Sequence, residues 1–576
     1  MISKLEKFYP KNWKDIDDLL MLIKNQSLSP HTGVINSSIN DIKNGIAFIT
    51  YDYGIDGVSI EMSKYAMSLQ NFVFKNAEPK IHFIGGDFYS QADTVIKPEW
   101  KRFKLSGSNG WGKWENAIWY NRLFNEDMPQ NSKESDNLAL EIWEQAVSLS
   151  KRLGKYLADN NIHLLIPVNI CSNPGNLALG LCIPLVTELM DLYVLNSNHD
   201  YYWEGGKPAL EKKPGERPGP RDHFFKNYKN QDFFRLFEKL YPWNGKKWIQ
   251  TNINKLQSDK LINKYNFDSE KVFELATSIS DDFFTNYTSE DVQSIRFRMA
   301  HILSDGHSLI LPQSVNKHLE NLEHWMSNQK PIVCAYSENL ILDPTNDNTI
   351  YLLQPTRIIG RKRIKKDIEL IEALLQHQYF RKEFDTNPEK QIILHITGPV
   401  PIEHQYDLEL ILKTFIDVCG KLPESVSNRL FLAFSVGTEE HSIFAKKGFN
   451  RLYIHDIYQL ATAIVFPSET EGRGLPIVES SAGGIPIICS RYFPNEVFDG
   501  VVGKTLNEEQ QIKYTLFPEN EFSIDFLNIV SDLLLFPEKN IEVNKQNRKA
   551  VHHRYSEDVM DANLRDLLTK FDKQTI

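Results

Sequence analysis

The stretch PSETEGRGLPIVESSAGGIPIIC, residues 467–489, follows one short apolar run, ATAIVF, and ends in another, GIPIIC. Apolar runs of this length bounded by Gly and Pro are typical of buried strands, and a helix fits between them. Pro476 suits the first turn of that helix, where its missing N–H group is not needed, and Gly483 and Gly484 suit its end. The stretch therefore predicts a strand-helix-strand unit of an α/β protein.

Two glutamates of this stretch, Glu471 and Glu479, raise the question of what their carboxylates bind. On the predicted helix, Glu479 follows Leu475 by four residues and borders the apolar face. A carboxylate there is partly desolvated and needs hydrogen-bond donors, and none is evident nearby in sequence. Hydroxyl groups of a ligand are candidate partners. The alternative is a glycine turn that carries two surface glutamates.

Length and composition restrict the class of protein. A chain of 576 residues exceeds one ordinary core, so two or more domains are expected. Charged residues at 24%, hydrophobic residues at 41% and a mean hydropathy of -0.38 describe a soluble globular protein of enzyme size. The formal net charge of -10 gives no electrostatic reason to expect a nucleic-acid partner or binding to an anionic membrane.

The cysteines and the hydropathy pattern indicate the compartment. The chain has five widely spread cysteines and no CxxC pair. They are Cys171, Cys182, Cys334, Cys419 and Cys489. An odd number in apolar runs is typical of reduced core residues, and no signal-peptide or membrane-spanning run is evident. A cytoplasmic location is expected.

Alternation of strand and helix patterns predicts two Rossmann-like halves. Residues 1–43 form a polar helical extension, for which a docking helix is favoured over an amphipathic helix on a membrane surface. Residues 44–284 predict a first doubly wound domain, and residues 349–520 a second. Between them, residues 285–348 break the alternation and predict an inserted helical or linker element. Residues 521–576 predict C-terminal helices that cross back to the first domain.

Open α/β sheets bind ligands at the carboxyl ends of their strands, so the loops after strands are the places to look for chemistry. In IYLLQPTRIIGRKRIKKDIELI, Arg357 follows an apolar strand and Lys362 precedes an amphipathic helix. Cations beside a helix N-terminus make an anion site that suits a diphosphate. A solvated charged face is the alternative, and it is favoured for the later lysines, Lys365 and Lys366.

Three other loops carry candidate residues. Gly472 and Gly474 allow the backbone to approach sugar or phosphate oxygens. In VLNSNHDYYWEGG, His199 and Asp200 end a strand and could orient a hydroxyl group or move a proton, although a lone histidine is more often structural. The aromatic residues that follow could stack on a sugar ring. They are Tyr201, Tyr202 and Trp203. The loop DYGIDGVS around Gly57 resembles a phosphate loop only weakly.

These motifs together resemble the GT-B glycosyltransferases of the retaining glycosyltransferase family 4, also called glycosyl transferases group 1. Glu471 and Glu479 match the E-x7-E spacing of that family, and Arg357 and Lys362 match its G-R-x4-K element with Thr356 in place of the glycine. His199 and Asp200 match a His-Asp pair at a strand end, and HITGP, which contains Gly398, matches a strand-end glycine. The resemblance covers most of residues 44–535.

The resemblance implies a role for each matched residue. Arg357 and Lys362 neutralise the departing diphosphate, Glu479 accepts hydrogen bonds from ribose, and Glu471 holds the transferred sugar. The catalytic residues implied are His199, Arg357, Lys362 and Glu471. The donor-binding residues implied are Gly57, Gly398, Gly472, Arg473, Gly474, Leu475 and Glu479. On the acceptor side we expect Asp200 and Tyr202.

The resemblance also implies the reaction. A hexose moves from a UDP-, GDP- or ADP-sugar to the hydroxyl group of an unknown acceptor by same-face attack with retention. No metal and no pyridoxal phosphate are expected, and membrane association is at most peripheral. Arg473 stands where the family usually has Phe, which adds a cation near the sugar or phosphate. A GT-B phosphorylase or epimerase, or a non-catalytic subunit that binds nucleotide-sugars, remains the alternative.

Overall fold

The chain forms two compact units. The structure is a computed structural model that describes residues 2–25, 39–54, 56–75, 77–110, 114–310, 331–336, 342–343, 345–399, 405–438 and 441–573. Unit 1 comprises Met1–Ser278 and Asp558–Ile576, and unit 2 comprises Ile279–Glu557. Each unit is built around one large sheet.

Unit 1 contains a parallel sheet of seven described strands. They are β1 (Ile46–Ile49), β3 (Ile81–Gly85), β5 (Lys101–Lys104), β6 (Leu164–Pro167), β7 (Tyr193–Asn198), β8 (Trp248–Asn252) and β9 (Val272–Glu274). Their order across the sheet is β5-β3-β1-β6-β7-β8-β9, and every neighbouring pair is parallel. Two short strands, β2 (Asp52–Tyr53) and β4 (Asp87–Phe88), pair with each other. The central strands β1 and β6 are buried at every position, as a parallel sheet covered on both faces requires.

Helices flank this sheet. Those of unit 1 are α1 (Trp13–Asn25), α2 (Gly57–Leu69), α3 (Trp114–Phe124), α4 (Lys133–Asp159), α5 (Leu177–Met190), α6 (Gln231–Leu240), α7 (Lys255–Asn263) and, at the C-terminus, α19 (Glu557–Lys573). Side-chain caps determine where several of them begin, because a cap satisfies an amide that the first turn leaves without a partner. The Ser132 hydroxyl accepts from the Ser135 amide at 3.2 Å before α4, and the Asn176 side chain accepts from the Leu179 amide at 3.0 Å before α5.

The N-terminal helix α1 is part of the unit 1 core. Trp13 and Ile16 are buried in it. Asp17 is also buried, and it accepts hydrogen bonds from Arg235 at 2.9 Å and Lys239 at 2.7 Å on α6. The extension predicted over residues 1–43 is thus a docked helix in its described part, while residues 26–38 lie outside the described residues. Within the described residues, no helix combines the length and the apolarity needed to cross a bilayer.

Unit 2 contains a sheet of eight described strands. They are β10 (His307–Ile310), β11 (Ile332–Ala335), β12 (Thr349–Gln354), β13 (Gln391–Ile396), β14 (Leu430–Phe434), β15 (Ala463–Phe466), β16 (Ile487–Cys489) and β17 (Thr515–Leu516). Their order is β10-β11-β14-β13-β12-β15-β16-β17, and only the β11–β14 pair among them is antiparallel. Alternate residues of β12 enter different cores: Leu352 packs on one side of the sheet and Leu353 on the other. Both faces are therefore covered, and the predicted α/β class with two Rossmann-like halves is confirmed.

The helices of unit 2 follow its strands. They are α8 (Ser289–Ser304), α9 (Lys365–Gln376), α10 (Gln378–Asp385), α11 (Gln405–Lys421), α12 (Glu424–Ser427), α13 (Ile443–Lys447), α14 (Ile454–Tyr458), α15 (Leu475–Gly483), α16 (Asn495–Val502), α17 (Ile524–Leu535) and α18 (Ile541–Tyr555). Helix α15 occupies the place predicted from the opening stretch. Pro476 lies in its first turn, and Gly484 caps its end in the left-handed conformation with φ of 71°.

Two predicted segments differ from the structure. Residues 285–348 are not only a helical or linker element, because α8 is followed by β10 and β11, which extend the sheet of unit 2. The pairing of β10 and β11 is long-range, so these strands could not be recognised from local strand-helix alternation. Residues 311–330 lie outside the described residues. Of the helices predicted over 521–576, α17 and α18 belong to unit 2, and the chain returns to unit 1 only at Asp558.

Candidate functional site

The loop after β12 carries the predicted anion-binding residues, and Gly398 holds it against the loop after β13. A Cβ atom at Gly398 would lie 2.2 Å from the backbone carbon and oxygen of Thr356 and 2.4 Å from the amide nitrogen of Arg357. The Ile358 amide donates to the Pro399 carbonyl at 3.0 Å. Only glycine allows this approach, so Gly398 fixes where the backbone leaves β12.

Lys362 and Glu471 form a buried ion pair. The ammonium group donates to Oε1 of the carboxylate, and the two side chains are 9% and 10% exposed. Burial lowers the pKa of Lys362 below its usual value, while the charge of Glu471 opposes that shift. Arg361 lies 3.5 Å from the same carboxylate. The structure thus joins a residue predicted for the diphosphate to one predicted for the sugar.

Backbone hydrogen bonds connect three loops around this pair. The Glu469 amide donates to the Arg361 carbonyl at 2.8 Å. The Phe493 amide donates to the Glu469 carbonyl at 2.8 Å, and the Glu471 amide donates to the Phe493 carbonyl at 3.1 Å. The loops after β12, β15 and β16 therefore hold one another, which places Glu471 against Lys362.

The cations of the loop after β12 differ in their partners. Arg363 pairs with Glu519 at 3.1 Å, and Lys365 pairs with Glu369 at 3.1 Å. Lys366 donates to the carbonyl of Glu519 at 2.7 Å. Arg357 is exposed, and within the described ranges its side chain makes no ion pair or hydrogen bond. Arg357 therefore presents a positive charge that no described residue pairs with, near enough to Lys362 to add to the effect of burial in lowering the pKa of that lysine.

The Gly-rich loop before α15 has one position, Gly474, that only glycine can occupy. Gly474 has φ of 66° and caps α15, and a Cβ atom there would lie 2.3 Å from the Tyr492 hydroxyl. Gly472 is exposed, and Arg473 and Leu475 are half-buried. Gly472 thus keeps accessible backbone beside Glu471, whereas Gly474 is buried.

Glu479 has a donor that sequence reasoning missed. The hydroxyl of Tyr458, at the end of α14, donates to Oε2 of Glu479 at 2.6 Å. Tyr458 is fully buried, while Glu479 is half-buried. No donor was evident near Glu479 in sequence, and helix packing supplies one from a residue 21 positions upstream. The segment LYIHDIYQL contains the phenol, but its periodicity alone does not indicate which face meets α15.

In unit 1, His199 and Asp200 follow β7 and are both half-buried. The Asp200 carboxylate lies 3.0 Å from Arg221, and its amide donates to the Asn169 side chain at 2.9 Å. Although burial opposes ionisation, the charge of Arg221 holds the pKa of Asp200 below its usual value. The carbonyl of His199 accepts from Gln257 at 3.0 Å. Asp200 is thus a held anion, and Arg221 and Asn169 are partners that the sequence did not identify.

The structure corrects the role predicted for the aromatic residues after Asp200. Tyr201 and Tyr202 are fully buried and Trp203 is 6% exposed. The Tyr202 ring packs edge-on against Phe237 at 4.8 Å, and its hydroxyl lies 3.3 Å from that of Tyr265. Stacking on a sugar ring needs an exposed ring face, so the acceptor-side role predicted for Tyr202 does not fit this structure. The three rings belong to the core of unit 1.

Gly57 is the first residue of α2. The Asp56 carboxylate caps this helix by accepting from the Ser59 amide at 2.8 Å. A Cβ atom at Gly57 would meet no heavy atom within 4 Å. Space around this backbone therefore remains open, and Gly57 is not required by packing.

The predicted residues fall into two groups. The predicted residues of unit 2 lie in the loops after β12, β13 and β15 and in helix α15: Arg357, Lys362, Gly398, Glu471, Gly472, Arg473, Gly474, Leu475 and Glu479. Unit 1 holds Gly57, His199, Asp200 and Tyr202. Across the described part of the chain, no group of three or more His, Cys, Asp or Glu side chains is arranged to hold a metal ion.

Comparison with known proteins gives relatives but no family model, because no such model matches this chain. The chain is 22% identical over 469 residues to mannosylglucosylglycerate synthase of Petrotoga mobilis, which covers 78% of this chain and 82% of that protein. It is 34% identical over 101 residues to uncharacterized glycosyltransferase 335 of Sulfolobus islandicus rod-shaped virus 1, which covers 16% of this chain and 30% of that protein.

Among solved structures, HepE of Anabaena in complex with UDP and glucose is similar, with a TM-score of 0.51 at 11% identity over 91% of this chain and 99% of that chain. This likeness, together with two α/β units whose described strand pairs are all parallel except β11–β14, shows the GT-B fold. The chain is therefore similar to glycosyltransferases in sequence and has their fold.

Proposed function

We propose that the protein is a retaining glycosyltransferase that moves a hexose from a nucleotide-diphosphate sugar to an acceptor hydroxyl group without a metal ion. One observation carries the proposal: the exposed guanidinium of Arg357 stands without a partner among the described residues, beside Arg361 and the buried Lys362. The carboxylate of Glu471 contacts Lys362 and lies 3.5 Å from Arg361. Such a site attracts a diphosphate.

Unit 2 would bind the donor. Arg357 and Lys362 would neutralise the charge that develops on the diphosphate as the bond to the sugar breaks. Glu479, oriented by Tyr458, would accept hydrogen bonds from the ribose hydroxyls. The proposal is supported by the UDP and glucose named for HepE, but it leaves the base open among UDP, GDP and ADP.

Glu471 takes two parts in this proposal. Its Oε1 accepts from Lys362, which keeps that ammonium in place. A carboxylate has about four acceptor positions, so hydroxyl groups of the transferred hexose can still bind it. The exposed backbone at Gly472 and the half-buried Arg473 would contact the same sugar. Glu471 is thus a sugar-binding and lysine-orienting residue and needs no paired carboxylate of the glycosidase kind.

The acceptor hydroxyl would attack the anomeric carbon from the face that the diphosphate leaves, and the leaving phosphate oxygen would take the acceptor proton. The new glycosidic bond forms as the bond between sugar and phosphate breaks, so configuration is retained. Within unit 1, His199 and Asp200 are the residues proposed to bind the acceptor, and Arg221 keeps Asp200 ionised. Positive side chains then supply the charge neutralisation that a divalent ion gives in other transferases.

The direct test is a thermal-shift screen of the full chain with UDP, GDP and ADP and with their hexose conjugates. A ligand that binds only the folded state raises the melting temperature as its concentration rises. We expect one nucleotide series to stabilise the protein, and slow hydrolysis of the matching nucleotide-sugar without acceptor. Activity that is lost with a chelator and restored by magnesium would overturn the metal-independent part.

The same screen separates the alternatives. A phosphorylase requires inorganic phosphate, so phosphate-dependent breakdown of a glycoside would replace the transferase proposal. An epimerase would interconvert or hydrolyse the nucleotide-sugar without using an acceptor. A non-catalytic sensor would bind the nucleotide-sugar and leave it intact over long incubation.

A further inference from the structure

The loop that carries Arg357, Arg361 and Lys362 is joined at its two ends by buried polar side chains. Gln354 is the last residue of β12, and Asp367 lies in the first turn of α9. Both are 0% exposed, and Thr356, between Gln354 and Arg357, is 6% exposed. Gln354 and Asp367 enter neither the family resemblance nor the proposed contacts with the donor, and Thr356 enters the resemblance only as the residue in place of a glycine.

Hydrogen bonds link these three side chains in series, each donating to the next. The Thr356 hydroxyl donates to Oε1 of Gln354 at 3.2 Å, and Nε2 of Gln354 donates to Oδ2 of Asp367 at 3.0 Å. Among the residues that the structure describes, Oδ1 of Asp367 has no hydrogen-bond partner. A fully buried carboxylate with so little support is costly, and burial raises the pKa of Asp367 well above its usual value.

Arg357 depends on this backbone more than its neighbours do. Lys362 is held by Glu471, and Arg363 is held by Glu519. The side chain of Arg357 makes no ion pair or hydrogen bond with a described residue, so only the backbone from Thr356 to Ile358 determines where it starts. That backbone rests on Gly398 on one side and is tied through Thr356 and Gln354 to α9 on the other.

We propose that Asp367 is a positioning residue that acts through Arg357. Two hydrogen bonds, from Thr356 to Gln354 and from Gln354 to Asp367, attach the start of the loop to the first turn of α9; we call this pair of bonds the clip. The clip sets the direction in which the Arg357 guanidinium meets its anion. The inference rests on the proposed function in one respect, because the anion is taken to be the diphosphate of the donor.

A double-mutant cycle between Asp367 and Arg357 tests the proposal. Asp367→Leu keeps the approximate size of the side chain and removes the acceptor, and Arg357→Ala removes the positioned group. We expect Asp367→Leu to lower kcat for nucleotide-sugar hydrolysis or transfer by about tenfold or more, with KM changed by less than about threefold. In the Arg357→Ala background the same change should lower kcat by less than about twofold, because the group through which Asp367 acts is gone.

Two further variants keep the test informative if Asp367→Leu folds poorly. Asp367→Asn preserves an acceptor for Gln354 and should retain kcat within about threefold of the wild type. Thr356→Val removes the other end of the clip without a change of charge and should lower kcat in the wild type but not beside Arg357→Ala. A purely structural role predicts instead that each variant lowers the melting temperature and that the kcat losses multiply in the cycle. That multiplication, or full kcat in both Asp367→Leu and Thr356→Val, would overturn the proposal.

Affinity for inorganic pyrophosphate, measured by calorimetry across the same cycle, separates failure of the clip from failure of the proposed function. If the wild type turns over no nucleotide-sugar but binds pyrophosphate through Arg357, the function fails and the clip is still judged by whether Asp367→Leu and Arg357→Ala are non-additive. If the losses of pyrophosphate affinity in Asp367→Leu and Arg357→Ala are additive, the positioning role of Asp367 is refuted and the proposed function is not. If the wild type binds neither pyrophosphate nor any nucleotide, both proposals fall.

Discussion

The ammonium of Lys362 lies against the carboxylate of Glu471, although 109 residues separate them in the chain. Both side chains are about nine-tenths buried, at 9% and 10% exposed. Each ion satisfies the other in a place where either alone would be costly. Arg357, which is exposed, lies near this pair, and that arrangement is the basis of the donor site proposed above.

Removing one partner of the buried pair should destabilise unit 2. Lys362→Met leaves the Glu471 carboxylate buried without its main partner, which costs about 3–5 kcal/mol when a buried pair is broken. Urea unfolding of the variant and the wild type measures the difference in free energy. Lys365→Met is the matched control, because that lysine pairs with Glu369 at the surface, where a pair contributes about 0–1 kcal/mol. Equal losses in the two variants would contradict the role assigned to burial.

Arg357→Ala should lower turnover while leaving stability unchanged. The residue is exposed, so the free energy of unfolding should stay within about 0.5 kcal/mol of the wild type. Loss of a group that stabilises transition-state charge lowers kcat by about 10²–10³. Initial rates with the nucleotide-sugar found in the screen measure this. Arg357→Lys keeps a positive charge without the bidentate fork, so its kcat should lie between those of the wild type and the alanine variant. An alanine variant with full kcat would refute the site.

Glu479→Ala should weaken nucleotide binding. Hydrogen bonds to a charged group contribute about 1.5–3 kcal/mol, which corresponds to an affinity loss of roughly 10- to 100-fold. Tyr458→Phe should weaken the same ligand less, because the carboxylate remains but loses the phenol that orients it. Calorimetric titration with the nucleoside diphosphate measures both. An alanine variant that binds as tightly as the wild type would show that Glu479 does not meet the ligand.

Asp367→Asn should stabilise the protein increasingly as pH rises. The folded state keeps a proton on Asp367 above the unfolded value of 3.8, so it binds more protons than the unfolded state and wild-type stability falls with pH through that window. The asparagine variant has no such titrating group. Its free energy of unfolding should therefore rise relative to that of the wild type by up to about 1.4 kcal/mol per pH unit, until the carboxyl group of folded wild-type protein ionises.

Urea unfolding at a series of pH values from about 5 to 8 measures that slope. Asp385→Asn is a control of opposite sign: although burial opposes ionisation there, Arg381 and Arg429 hold the pKa of Asp385 below its usual value. Its replacement should therefore remove stability in the neutral range. Parallel pH curves for the wild type and Asp367→Asn would show that Asp367 is ionised in the folded protein.

His395 should make the protein sensitive to acid. It lies between the hydroxyls of Tyr351 and Ser435, each at 2.6 Å, and burial lowers its pKa from 6.5 to about 3. The unfolded state therefore binds a proton that the folded state does not, and stability is lost as pH falls from about 6.5 towards 3. Melting temperatures between about pH 7 and pH 5 should fall less steeply for His395→Gln than for the wild type, whatever the absolute stability of the variant. Equal slopes would place the acid sensitivity in other groups.

Local features of the sequence predicted the elements that position the site. Pro476 and Gly484 bracket α15 as expected, and Gly398 and Gly474 stand where a Cβ atom would collide. Strand ends were recognisable too, because an apolar run stops where the backbone leaves the core, and Arg357 follows such an end. Backbone restrictions of Gly and Pro act over a few residues and can be read without knowledge of the fold.

Partners were harder to predict than positions. The stacking role expected for Tyr202 failed because exposure depends on what packs over a loop, and Phe237 and Tyr265 cover that ring. The strands β10 and β11 went unrecognised because β11 pairs antiparallel with β14, far along the chain. Neither outcome is encoded in the pattern of the segment itself.

The sequence by itself determined the α/β class, the two Rossmann-like halves and the strand ends at which polar residues gather, since hydrophobic period and backbone restriction are local properties. Only the tertiary structure decided that Lys362 pairs with Glu471, that Tyr458 reaches Glu479 and that Asp367 is tied to Gln354. These contacts join segments through the order of strands in the sheet and the faces on which helices pack. That order follows from the packing of the whole unit, so no short stretch contains it.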